Sequence, residues 1–266
     1  MIDIPQKAMV LAAGKGTRMG DLSLRTPKPL VSVAGRSLLD RILDHLAPHG
    51  IHAIVNVHHL ADQIEAHLQA HIGRGAATVS DERAALLETG GGVKKALPHL
   101  GTGPFYVINS DALWCDASPE GGALSRLGKA FDPATMDVLL LLVPTEKATG
   151  YDGAGDFFPS VDFQEPDDTR TLSFHGERPS APFMYGGIMI THPGMYRDQP
   201  AGAWSNIEIF RQASKQGRLF GLVHTGHWMH VGTQEGIQSA EYILQQLEEK
   251  ILPSDVARLA SAEQKT

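Results

Sequence analysis

At 266 residues, 42% of them hydrophobic, the chain is long enough to bury one large α/β core and too apolar to be disordered. A formal net charge of −7 argues against nucleic acid or an anionic membrane as partner, because both select basic surfaces. One cysteine, Cys115, excludes an internal disulfide and fits a reducing cytoplasm.

The start, Met1-Ile2-Asp3-Ile4-Pro5-Gln6, lacks the basic and apolar blocks of a signal peptide. No run approaches the ~20 apolar residues of a membrane span, so a cytoplasmic location without membrane contact is expected. Ala8–Ala12 reads as a strand, and the apolar face of Leu38, Leu39, Ile42, Leu43 and Leu46 predicts a helix. A strand over Ala53–Val57, a helix over Ala61–Leu68 and a helix around Gly92–Leu97 follow. Then come the strand Phe105–Asn109, a helix near Ala123–Phe131 and the strand Val138–Val143. This alternation predicts a Rossmann-like α/β fold, a mostly parallel sheet with helices on both faces.

The rhythm breaks between Pro144 and Pro182, a Gly-, Pro- and Asp-rich stretch that reads as an irregular insertion or a small hairpin layer over the sheet. Phe183–Thr191 is a long strand. Ser205-Asn206-Ile207-Glu208 fits a capping box opening a helix to about Lys215. Leu219–His224 and Trp228–Val231 are late strands. Ile237, Ala240, Leu244, Leu247 and Ile251 mark a last helix, about 233–252, which Pro253 ends, leaving 253–266 as a tail. That stripe fits its own sheet or a second subunit; packing on its own sheet is the expectation, and the sequence leaves the oligomeric state open. No repeat or linker divides the chain, so a single domain over 1–266 is expected.

The most informative string is Leu11-Ala12-Ala13-Gly14-Lys15-Gly16-Thr17-Arg18-Met19, followed by Pro27-Lys28-Pro29-Leu30. A glycine-rich turn directly after an apolar strand brings backbone N–H groups up to a polyphosphate, and Lys15, Arg18 and Lys28 supply neutralising charge. It is not a dinucleotide fingerprint, since the third glycine falls at Gly20, one place late. Nor is it a P-loop, since Asp21 stands where lysine is needed. Alone, the turn is equally a plain strand-to-helix connection and each cation a solvated surface group.

With its second lysine the string resembles the signature of the sugar-1-phosphate nucleotidyltransferases. Leu87-Glu88-Thr89-Gly90-Gly91, Val107–Asp111 and Val231-Gly232-Thr233 agree with it. The run Glu88–Gly92, Gly155-Asp156-Phe157 and Gly226-His227-Trp228 look most like the bacterial N-acetylmuramate-1-phosphate uridylyltransferases. The resemblance implies that a sugar-1-phosphate oxygen attacks the α-phosphorus of a nucleoside triphosphate and releases pyrophosphate. UTP and N-acetylmuramate 1-phosphate are the expected pair. GTP with mannose 1-phosphate, or another NTP and sugar-phosphate pair, is the alternative, and a nucleotide-sugar-binding regulator with weakened catalysis is a second.

By the same resemblance Arg18, Lys28 and Asp111 carry the chemistry, with Asp111 holding Mg²⁺. Ala13, Gly14, Lys15, Gly16, Thr17, Glu88 and Gly90 bind the nucleotide, and Glu88 or Thr89 equally reads as a helix cap. Gly155, Asp156, Tyr185, Gly187 and Asn206, with Gly186 beside them, are the sugar-side residues, which otherwise read as turn and bulge positions. Two departures stand out. Many relatives have a second metal-binding Asp where this chain has His230, a softer donor. The expectation is a Mg²⁺ site of Asp111 with phosphates and water, the alternatives being His230 as ligand to another metal such as Mn²⁺ or a weakened activity. The Glu-Lys-Pro sugar-phosphate motif is replaced by Gln164-Glu165-Pro166, which leaves Lys28 for the sugar phosphate. His224, His227 and His230 recur every third residue but match no zinc pattern, and His58-His59 reads as a strand-end pair.

Overall fold

The computed structural model describes residues 4–117 and 121–263. In chain order, strand β1 (Lys7–Leu11) leads through the short helix α1 (Leu22–Arg25) to a hairpin of β2 (Ser32–Val33) and β3 (Arg36–Ser37). Helix α2 (Leu38–Leu46) starts where Ser37 Oγ accepts the Asp40 N–H at 2.9 Å, an N-cap that satisfies one orphan donor. Then follow β4 (His52–Val57), α3 (Ala61–Gly73), β5 (Ala77–Asp81), α4 (Glu88–Leu100), β6 (Phe105–Asn109) and β7 (Ala112–Cys115). Helix α5 (Ala123–Ala130), β8 (Val138–Pro144), β9 (Ala148–Thr149), β10 (Phe157–Pro159), β11 (Thr169–Phe174) and β12 (Phe183–Thr191) come next. The chain closes with α6 (Gly194–Arg197), α7 (Ile207–Lys215), β13 (Leu219–Val223), β14 (His227–His230) and α8 (Gln234–Glu263).

Nine strands form the main sheet in the order β10-β11-β13-β8-β12-β6-β1-β4-β5. The pairs β6–β1, β1–β4, β4–β5 and β8–β13 are parallel, and β12 runs antiparallel to both β6 and β8. Only β11 and β12 oppose the common direction, so the expected mostly parallel sheet is present. Alternation along β1 sends Ala8 and Val10 into one core with Leu39, Ile64 and Leu127, and Met9 into the other with Val93, Tyr196 and Ile209. Helices α2, α3 and α5 therefore cover one face, and α4, α6 and α7 the other. The C-terminal ends of β1, β4 and β6 converge on the edge where open α/β sheets bind ligands.

Four details differ from the sequence reading. The stretch 144–182 is not a layer over the sheet: β10 and β11 extend the sheet itself, and β9 joins β14 and β7 in a second, three-stranded sheet. Ser205 does not form a capping box, because the helix begins after Asn206 and Glu208 turns outward to Arg211, Nη1 to Oε1 2.8 Å. Helix α4 starts at Glu88 rather than around Gly92, so the glycine run is its first turn. Helix α8 continues through Pro253 to Glu263, since an interior proline removes one helical N–H without obliging the chain to leave the helix; Pro98 sits likewise inside α4. Ile237, Ala240 and Leu244 of α8 pack on Val33, Leu113 and Met229 of the same chain, as expected. The side chain of Ile251 and residues 264–266 lie outside the described residues.

Candidate active site

The glycine turn leaves β1 at Leu11, and its next residue is pinned at once. The Ala12 N–H donates to Asn56 Oδ1 of β4 at 2.6 Å, and Asn56 is buried. Gly16 then takes a left-handed conformation (φ 62°), open to glycine at little cost, and the Met19 N–H closes a tight turn on the Gly16 carbonyl at 2.9 Å. A Cβ on Gly16 would lie 3.3 Å from Lys28 Cβ, so the bare backbone lets the Pro27–Leu30 segment close against the turn.

That approach carries Lys28 to Asp111. Its Nζ lies 3.3 Å from Asp111 Oδ2, and Arg18 Nη2 lies 3.9 Å from the same oxygen. Lys28 is mostly enclosed, with 11% of its side chain exposed, whereas Arg18 is 64% exposed and free to move toward a ligand. Burial pushes the Lys28 ammonium below its ordinary value; Asp111 opposes the shift and Arg18 adds to it. Asp111 follows β6, and its carbonyl accepts the Val231 N–H at 3.1 Å, tying it to the end of β14. Ser110 Oγ donates to the Leu11 carbonyl at 2.6 Å, locking the ends of β1 and β6 together.

These groups edge a cavity of about 420 Å³, the size range of small-molecule sites. Ala13, Gly14, Gly16, Thr17, Arg18 and Lys28 line it, together with Asn109, Asp111 and Gly232. Lys15 is exposed and outside the lining. Glu88 and Thr89 also line it. Glu88 holds φ 57°, a strained conformation for a residue with a Cβ and one that concentrates at functional sites.

The three glycines of α4 each admit a different neighbour. A Cβ on Gly90 would lie 2.2 Å from the Trp204 ring, one on Gly91 2.1 Å from the Gly202 carbonyl oxygen, and one on Gly92 2.7 Å from Glu82 Oε1. The N–H groups of Gly90 and Gly91 both donate to the Trp204 carbonyl, at 2.8 and 3.2 Å. Gly90 is therefore taken up by the 202–206 segment and does not reach the cavity wall. Glu82 has no exposed surface; it accepts from Asn56 Nδ2 at 2.8 Å and from the Leu87 N–H at 3.3 Å. Burial raises its carboxyl above the ordinary range against those two hydrogen bonds. Through Asn56 and Glu82, the glycine turn and the Leu86–Thr89 loop share one buried polar link.

The sugar-side residues fall into three places. Asp156 Oδ2 accepts the Tyr185 N–H at 2.8 Å, joining the start of β10 to β12. Gly155 donates to the Tyr151 hydroxyl at 3.0 Å, and a Cβ there would meet the Ala181 carbonyl oxygen at 2.2 Å, so its close approach is to protein backbone. Gly187 lies against Asn109, with Asp111 two residues beyond. Asn206 is buried, its Oδ1 accepting from the Tyr196 hydroxyl at 3.2 Å and its N–H donating to Thr89 Oγ1 at 2.8 Å; its neighbour Ser205 reaches the cavity.

His230 adjoins the charged cluster. Burial lowers its pKa and Asp111 opposes that, while Lys28 and Arg18 add to it, a shift that favours the neutral ring. His224 is buried and bonded to the His227 carbonyl. No group of three His, Cys, Asp or Glu side chains that could hold a metal occurs among the described residues. His58 and His59 bond to the backbone carbonyls of Glu82 and Ser23, as a strand-end pair would. Sequence reasoning missed Asn56, Glu82 and Ser205. A polar residue inside the apolar run Ile54-Val55-Asn56-Val57 was the available signal for the first.

The family model for a MobA-like NTP transferase domain matches residues 8–142, which include the turn, Lys28, Glu88 and Asp111. An N-acetylmuramate alpha-1-phosphate uridylyltransferase of Caulobacter vibrioides is 41% identical over 91% of this chain and 98% of its own. The enzyme of that name in Neisseria meningitidis serogroup B is 35% identical over 88% and 96%. Among solved structures, a UDP-glucose pyrophosphorylase complexed with UDP-glucose superposes with a TM-score of 0.69 over 91% of this chain and 98% of that one, at 15% identity, and so shares the fold. On the matched domain and these full-length relatives, the chain belongs to the MobA-like NTP transferases and, within them, to the sugar-1-phosphate nucleotidyltransferases.

Proposed function

We propose that the protein joins UTP to N-acetylmuramate 1-phosphate, giving the UDP-sugar and pyrophosphate, in the recycling of cell-wall sugars in the cytoplasm. The observation that carries the reading is the convergence of Lys28 and Arg18 on Asp111 at the mouth of a cavity walled by the glycine turn. The names of the two full-length relatives support the choice of substrates. A phosphate monoester is already an anion near neutral pH, so the attacking oxygen needs no strong base. The obstacle is bringing anions together.

Backbone N–H groups of Ala13–Thr17 receive the triphosphate. Mobile Arg18 stabilises charge on the departing pyrophosphate as the bond from the α-phosphorus to the bridging oxygen breaks. Lys28, held by Asp111, meets the incoming sugar phosphate at the α-phosphorus, and Glu88 faces the base. The Asp111 carboxylate is a hard oxygen donor at the cavity's edge and fits Mg²⁺, a cation that completes its shell with phosphate oxygens and water. When bound there, the ion supplies neutralising charge to the phosphates; His230 is a weaker partner for it than a carboxylate.

The test is a panel of nucleoside triphosphates and sugar 1-phosphates with pyrophosphate release as readout. UTP with N-acetylmuramate 1-phosphate should give the highest kcat/KM, and chelation of divalent ions should stop the reaction. Faster turnover of GTP with mannose 1-phosphate would reassign the substrates. His230 favours one other reading, a nucleotide-sugar-binding regulator; binding of UTP without pyrophosphate release in Mg²⁺ or Mn²⁺ would establish it.

A further inference from the structure

Strand β12 is irregular beside the site. Between the pairs Tyr185–Leu142 and Met189–Leu140 it advances four residues while β8 advances two. On its other side, pairing with β6 begins only at Ile188–Ile108. Gly186 and Gly187 thus sit in a bulge that neither ladder pairs, and both are buried. Bulges of this kind re-aim side chains next to active sites. Gly187 takes φ 82°, and a Cβ on it would lie 3.3 Å from Asn109 Cβ. Because β12 runs antiparallel to β6, the bulge lies at the C-terminal end of β6, alongside Asp111. Tyr185, just ahead of the bulge, is close enough for the Asp111 charge to act on its hydroxyl.

An unpaired buried carbonyl needs a donor from elsewhere. The Gly186 carbonyl accepts from Trp228 Nε1 at 2.9 Å. Trp228 is 4% exposed and belongs to β14. The same strand pairs His230 with Ala112 and leads to Val231, whose N–H holds the Asp111 carbonyl at 3.1 Å. One short strand therefore grips both the bulge, through an indole, and the Asp111 segment, through its backbone. Its cross-strand partner Trp114 is equally buried, yet the Trp114 Nε1 has no hydrogen-bond partner among the described residues.

We propose that Trp228 is a positioning residue: its indole N–H fixes the Gly186–Gly187 bulge relative to Asp111 and so sets the geometry of the acceptor-sugar side of the site. The inference rests on the sugar-phosphate reading given above. It assigns Trp228 no contact with substrate and no part in holding the nucleotide, whose turn lies on β1.

The two tryptophans supply their own control. Trp228→Phe removes the ring's N–H and leaves the Gly186 carbonyl without a donor. Trp114→Phe removes a similar part of a similarly buried ring and breaks no hydrogen bond. With N-acetylmuramate 1-phosphate and UTP varied in turn, Trp228→Phe should raise KM for the sugar phosphate about tenfold, the worth of one hydrogen bond to a buried group. KM for UTP should stay unchanged, and Trp114→Phe should leave both constants alone. Equal effects of the two variants, or a parallel rise of both KM values in Trp228→Phe, would overturn the proposal. A second measurement needs no variant: the Trp228 indole N–H resonance of the wild-type protein should move on adding the sugar phosphate and stay in place with UTP alone, with Trp114 as reference. An unmoved Trp228 resonance at saturating sugar phosphate also overturns it. A wild-type protein that forms no UDP-sugar from any sugar phosphate refutes the functional reading instead, which keeps the two failures distinct.

Discussion

Asn56→Ala tests the buried link between the glycine turn and the Leu86–Thr89 loop. Asn56 makes two enclosed hydrogen bonds, accepting from the Ala12 N–H at 2.6 Å and donating to Glu82 Oε1 at 2.8 Å. Truncation leaves a backbone donor unsatisfied and takes from a buried carboxylate its shorter bond, leaving only the Leu87 N–H at 3.3 Å. Each orphaned buried group costs about 1–3 kcal/mol, more when it is charged, so a loss of about 3–5 kcal/mol is expected. In a domain of this size that corresponds to a fall in Tm of about 6–20 °C. The effect should shrink in acid, where Glu82 is protonated in both proteins and no charge is stranded. Urea unfolding near pH 8 and near pH 4, followed by circular dichroism, measures both quantities. A loss below about 1 kcal/mol, or one equal at the two pH values, would refute the account of Asn56 as the donor that makes a buried Glu82 tolerable.

Three further outcomes are expected. Arg18→Ala and Lys28→Ala should each lower kcat about a hundredfold or more while Tm stays near wild type, because Asp111 keeps access to water; near-normal steady-state rates would remove their roles. Gly91→Ala should destabilise by about 1–3 kcal/mol, since the new Cβ meets backbone rather than a movable side chain, and an unchanged thermal midpoint would contradict the packing described. Glu82→Gln should flatten the pH dependence of stability. The raised folded-state pKa of Glu82 means that its contribution is complete below the ordinary value of 4.5 and is lost as pH rises through the folded value. The wild type should therefore lose stability over that window and the variant should not, as urea midpoints across the acid range will read.

The parts of the site legible in the sequence are those that lie on short contiguous strings. Leu11–Met19, Lys28 and Asp111 come together because each follows or packs against the end of a strand whose apolar run is unmistakable. Asn56 and Glu82 were opaque because their function is mutual: one polar residue in an apolar strand and one in a loop, 26 positions apart, become meaningful only when paired. The glycines of α4 hide the start of the helix because low helix propensity is the local signal, whereas close neighbours from outside the helix at Gly90, Gly91 and Gly92 require a residue without a Cβ. Strand β5 escaped notice as a short edge segment of mixed polarity, and β7 because it begins directly after the Asp111 turn. The 144–182 stretch looks irregular because its strands are short and half exposed, so neither alternation nor a long apolar run marks them.

The main sheet is a parallel block, β6-β1-β4-β5, and a mixed block, β10-β11-β13-β8, joined by β12, which runs against both of its neighbours. The chain before β6 carries the glycine turn and the Leu86–Thr89 part of the cavity lining; from beyond β8 only Ser205 and Gly232 join it among the described residues. The four residue pairs from Ile188–Ile108 to Thr191–Phe105 are the hydrogen-bonded seam between the parallel block and β12. On the proposed function, substitutions beyond β8 reshape the surroundings of the sugar while the strand that carries the triphosphate turn keeps its parallel neighbours β4 and β6.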